Sequence, residues 1–174
     1  LQNQGLVAES LETLKRTEAV LRPVATRPDA SRTMRNDWAA TLTALGLQHI
    51  RTADDGNERA LPIYAEARKV VDGLLVEFPD DEETLTNSAF VDVRAAFAQN
   101  GLGRTEDALR LTESSAASFE RVLNSNPGYL TALNGRGIAL GARSNVLFAQ
   151  GRLSESLVAA KESEAAYESY VELN

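Results

Sequence analysis

The sequence predicts an all-α fold, a right-handed stack of antiparallel helix hairpins about seven helices long. Two observations carry this. First, the chain repeats itself at a spacing of 48 residues: Gly103-Arg104 falls on Gly151-Arg152, Leu109 on Leu157, Ala117 on Ala165, Phe119 on Tyr167 and Glu120 on Glu168. Carried backwards, the same offset sets Ala108-Leu109 on Ala60-Leu61, Phe119 on Val71 and Asn126-Pro127 on Phe78-Pro79. Repeats of this length mark stacked units, none of which buries its apolar face alone. Second, apolar residues recur at helical spacing between regular Gly and Pro marks, as in Leu109, Thr112, Ala116, Phe119 and Leu123, which step by three and four. No segment alternates long enough to make a strand, and Asn134-Gly135 lies inside a helical pattern rather than between β-branched runs.

The predicted helices span 4–25, 30–53, 57–78, 81–100, 104–125, 128–150 and 152–173. The first aligns with the second helix of a later hairpin, Val20 on Val71, Val24 on Leu75 and Pro28 on Pro79, so the chain opens in mid-repeat. The third follows the Asp54-Asp55-Gly56 break. Pro62 lacks an amide hydrogen, which argues that this helix starts nearer Arg59 or Ala60. The fourth opens on Asp80 with Glu83 three residues on, the spacing of a capping box. Thr105 and Ser154 are the expected N-caps of the fifth and seventh helices, and Pro79 and Pro127 sit just past helix ends. The domain reading is one helical-repeat domain over 1–174, with a half unit at 1–28 and units at 29–79, 80–127 and 128–174. A start in mid-repeat, at Leu1 rather than Met, leads us to expect a segment of a longer protein.

Composition narrows the function classes. Apolar residues make up 43% of 174, which is globular usage, and a formal charge of −7 disfavours nucleic acid and anionic membrane as partners. With no cysteine there is no disulfide framework, thiolate nucleophile or cysteine metal site. That absence fits cytoplasm and periplasm alike, with the cytoplasm favoured. No apolar run reaches the length of a membrane span.

The turns resemble those of the tetratricopeptide repeat. Asn126-Pro127-Gly128-Tyr129-Leu130 is similar to the proline-led junction opening such a unit, and Leu42, Leu45 and Gly46 to its first-helix core with a small residue. Phe97-Ala98-Gln99-Asn100-Gly101 and Phe148-Ala149-Gln150-Gly151 resemble its turn, followed by Glu106-Asp107-Ala108-Leu109 in the second helix. The likeness covers residues 30–174. The usual unit is about 34 residues, so a 48-residue unit implies a variant with helices about two turns longer. Arg94 stands 48 residues after Gly46, so at that offset the small-residue slot is not kept.

Several constellations were weighed for chemistry. The glycine string Gly135, Gly137 and Gly141 has no strand before it, so it reads as close helix packing rather than a dinucleotide loop. His49 is the only histidine, too few for a triad or a two-histidine metal site, and reads as a half-buried packing residue. Asp80-Asp81-Glu82-Glu83 sits at a helix start, where acids complement the dipole. No nucleophile–base pair or cofactor site can be assembled, and the chain reads as a noncatalytic protein-interaction module.

The resemblance implies that the even-numbered helices line a concave groove. The sixth carries Arg136 and Arg143 and no acid, and Arg35 and Arg94 come from its inner neighbours, with Asn87 and Asn134 in similar slots. Asn87, Arg94, Asn134, Arg136 and Arg143 are therefore the expected partner-binding residues, holding a peptide or partner helix, particularly an acidic one, through forked donors. The alternative is a regulatory or oligomerisation segment of a larger bacterial signalling protein. Tyr167, Tyr170 and Val171, close together on a terminal helix, point to a homodimer through that helix or to a further covering element.

Overall fold

The computed structural model describes residues 2–174; Leu1, where the half unit begins, lies outside them. Among the described residues there are seven helices and no strand: α1 (Gln2–Ala25), α2 (Arg32–Thr52), α3 (Gly56–Glu77), α4 (Glu82–Gly101), α5 (Thr105–Ser125), α6 (Leu130–Ala149) and α7 (Leu153–Leu173). Each helix packs on the next in sequence. Beyond that, α2 packs on α4 and α4 on α6, whereas among the described residues no two odd-numbered helices come into close backbone contact, Arg22 of α1 reaching Glu66 of α3 through its side chain. The even helices therefore form a continuous inner layer and the odd ones an outer layer with gaps between them.

The 48-residue register is visible in hydrogen bonds. Arg104 N–H donates to the Gln99 carbonyl and Arg152 N–H to that of Leu147, both at 2.9 Å, around Gly103 and Gly151 at φ 73° and 74°. These are the same helix-ending turn, which needs a left-handed residue that glycine supplies without strain. Ser115 Oγ donates to the Ala89 carbonyl and Ser163 Oγ to that of Gly137, each at 2.8 Å and each tying an outer helix to its inner partner.

Four local expectations are corrected. The fourth helix is capped by Asp81, not Asp80: Asp81 is extended and its carboxylate accepts from Thr84 N at 3.0 Å and Thr84 Oγ1 at 2.6 Å. Thr105 and Ser154 are not N-caps, because the glycine turn leaves Arg104 and Arg152 at those positions with no side-chain cap. α3 begins at Gly56 and keeps Pro62 within it. Pro62 is exposed, so water can satisfy the carbonyl its missing N–H leaves free. Finally, α2 and α4 match at 50 residues rather than 48: their N-caps are Ser31 and Asp81, which accept from Met34 and Thr84. At that offset Gly46 meets Ala96, 1% exposed, so the small-residue slot is kept after all. The difference arises at the α2–α3 turn, where Asp55, at φ −91°, replaces the left-handed glycine of the later turns.

Small residues let the helices close on aromatic rings. A methyl on Gly46 would lie 2.5 Å from the Tyr64 ring, on Gly135 2.3 Å from Phe119, and on Gly137 2.8 Å from Tyr167. The glycine string of α6 thus serves close packing on both of its outer neighbours, α5 and α7. Phe119 is fully buried among Leu85, Ala89, Val93, Ala132 and Ala139, with Phe90 edge-on to it at 5.1 Å. Removing that ring leaves a cavity bounded by three helices. Phe119→Ala is expected to cost about 3–5 kcal/mol in urea unfolding; a loss under about 1 kcal/mol would contradict this packing.

Candidate functional site

The inner layer opens a cleft of about 210 Å³ between α2 and α4, lined by Ala40, Thr43, Ala44 and Leu47 on one side and Asn87, Phe90 and Arg94 on the other. The lining residues of α4 are spaced by three and four, so they share one stripe of the helix. Beneath them a buried polar chain fixes the two helices. Asn36, fully buried, donates to Thr84 Oγ1 at 3.0 Å, and Asn87 Nδ2 donates to Asn36 Oδ1 at 3.1 Å. Asp81 accepts from Thr84 and pairs with Arg32 at 2.8 Å. Asn87 is thereby oriented at the cleft edge by its Nδ2, which donates to Asn36.

Arg94 is half-buried, its guanidinium 5.7 Å over the Phe97 ring. Among the described residues no carboxylate lies within ion-pairing distance of it. Burial pushes its pKa below the ordinary arginine value, the sign of a cation that has lost water without gaining a counter-charge.

The other expected residues are not brought to this cleft. Arg143 turns outward to Glu113 of α5 at 3.6 Å. Arg136, seven residues earlier, shares that side of α6. Asn134 is two residues from Arg136, about 200° around the helix, so the three cannot form one constellation. Arg35 is held by Glu77 through two bonds of 2.6 and 2.8 Å. His49 is half-buried, and burial, with Lys15 and Arg59 adding to it, lowers its pKa. The acidic run is engaged structurally: Asp80 pairs with Arg121 at 2.9 Å and Glu82 accepts from Ser125 and Asn126.

A second concavity, missed at the sequence level, runs along the outer gap between α3 and α5, in two adjoining parts of about 480 and 450 Å³ that share Arg68, Asp92, Gln99 and Leu111. Asp92 is 2% exposed, bound by Arg68 Nη1 at 2.5 Å and by the Ser114 hydroxyl at 2.6 Å. Its sequence signal was an acid at a helical core position of α4. Among the described residues there is no group of His, Asp and Glu placed to hold a metal ion, and no helix long and apolar enough to cross a membrane. Comparison with family models, curated proteins and solved structures finds no match, so the reading rests on this geometry.

Burial raises the Asp92 carboxyl above its ordinary value despite its two partners. A raised carboxyl favours the folded state at low pH, and that contribution is lost as pH rises through the elevated value. Asp92→Asn removes the titration. Relative to the parent it is expected to be most favoured in urea unfolding at about pH 7 and to lose that advantage towards about pH 4. A difference independent of pH, or one that grows on acidification, would contradict the assignment.

Proposed function

We propose that the chain is a noncatalytic protein-interaction module of tetratricopeptide-like type that captures an acidic peptide segment in the inner cleft. The observation that carries this reading is Arg94. A half-buried guanidinium without a counter-charge is an incomplete arrangement, and a carboxylate completes it through two parallel hydrogen bonds. Around it the cleft offers what an extended segment needs besides an anion site. Ala40, Ala44, Leu47 and Phe90 supply an apolar floor, and Asn87 supplies an amide that can pair with a peptide backbone. A continuous inner layer of α2, α4 and α6 gives such a segment length to lie along.

Arg136 and Arg143 contribute differently in this reading. Both lie on the α5 side of α6 rather than at the cleft, where Arg143 meets Glu113, and both lie outside the binding contacts. Arg94 and Asn87 are the residues that make contact.

Panning a display library of random dodecapeptides against the full chain tests this. Selected peptides should be enriched in Asp and Glu beside apolar residues. Arg94→Gln should weaken them about tenfold, the worth of one charge-assisted hydrogen bond, while Arg143→Gln should leave them unchanged. Selection without acidic enrichment, or equal binding by the Arg94 variant, would refute the reading.

A further inference from the structure

The face of α7 turned away from α6 is apolar and uncovered. Leu157 is 58%, Tyr167 39% and Val171 71% exposed, along a trough of about 1010 Å³ rimmed by Glu164, Glu168 and Glu172, with Lys161 the one basic residue on its lining. The 48-residue register places these three residues on Leu109, Phe119 and Leu123 of α5, where Leu109 is 7% exposed and Phe119 fully buried because α6 covers them. Phe119 lies between Ala89 and Gly135, residues of successive inner helices. Tyr167 has Gly137, the counterpart of Ala89, on one side and no counterpart of Gly135 on the other.

The helix that covers α5 shows what such a face accepts. α6 is acid-free, brings a glycine against the aromatic ring and directs Arg143 to Glu113. On α7 the acidic charge is displaced along the helix: Glu164 stands where α5 has Ala116 and Glu172 where it has Asn124, while Lys161 takes the place of Glu113. We propose that this face docks a basic amphipathic helix of another polypeptide, with a small residue opposite Tyr167 and lysine or arginine flanking its apolar stripe. A second copy of the chain is a poorer occupant, because pairing α7 with itself would set Glu164, Glu168 and Glu172 against the same residues of the partner. None of the residues lining this trough lines the inner cleft, although the Tyr167 phenol lies within electrostatic reach of Arg94.

A labelled synthetic peptide of residues 128–150, the α6 sequence, is the probe, titrated with the full chain and followed by fluorescence anisotropy. Saturable binding is expected, weakening as salt is raised. The triple variant Glu164→Gln, Glu168→Gln, Glu172→Gln should weaken it about tenfold, and Leu157→Glu with Val171→Glu should abolish it. Circular dichroism should show unchanged helicity in both, since all five residues are exposed. Arg94→Gln should bind as the parent does. The proposal fails if no saturable binding is seen, if it survives the Leu157 and Val171 changes, or if Arg94→Gln diminishes it. It also fails if sedimentation shows the chain pairing with itself through a contact that Val171→Glu disperses, because the occupant is then a second copy.

Discussion

Each long helix here carries an apolar stripe that only a neighbouring helix can cover, and how closely it is covered depends on small residues under aromatic rings. Gly135 beneath Phe119 is the clearest instance: a single added methyl would sit 2.3 Å from the ring. Gly46 beneath Tyr64 does the same for α2 and α3. Close approach of the inner helices to the outer ones keeps the layers in register and fixes which side chains are left facing inward. Packing density is what makes such a contact unforgiving, because a core tolerates neither an added methyl nor a lost ring without strain or a void.

From that constraint follows the division of charge. Residues on the sides of α6 that meet outer helices find acids there, as Arg143 finds Glu113. Arg94, in contrast, lies at the mouth of the α2–α4 cleft, which is lined by apolar, amide and hydroxyl side chains, with the Tyr64 phenol within electrostatic reach. The chain is acidic overall, yet this half-buried position is cationic and has no carboxylate within ion-pairing distance among the described residues. A local field opposed to the net charge favours anions over cations at that point. At the other end the logic inverts: α7 presents apolar residues with a mainly acidic rim. The two surfaces of the stack thus have opposite charge preferences.

Much of this fold was legible because packing imposes periodicity that the sequence displays. Apart from the start of α3, expected nearer Arg59 or Ala60, the helix boundaries lie within two residues of their predicted places, and the 48-residue repeat reappears as paired hydrogen bonds. What was not legible depended on facts the sequence does not display. The change to a 50-residue offset between α2 and α4 comes from one turn built without glycine at Asp55. Asp81 rather than Asp80 caps α4 because backbone angles, not residue type, decide between adjacent acids. Of the expected partner-binding residues, Asn87 and Arg94 lie together along the α4 side of the inner cleft. Arg143 does not join them, because its partner Glu113 lies 30 residues away and only the packing of α5 on α6 brings them together.

The central claim is that Arg94 is the anion contact of the inner cleft, while Arg143 of α6 faces Glu113 of α5 instead. The most direct measurement is the side-chain Nε–Hε NMR signals of the full chain during titration with an acetylated hexapeptide of alternating leucine and glutamate. The account predicts that the Arg94 signal shifts saturably, accompanied by the Asn87 amide, and that the Arg143 signal, held by Glu113, stays in place. Movement of Arg143 with Arg94 unmoved, or no movement of either, would contradict it.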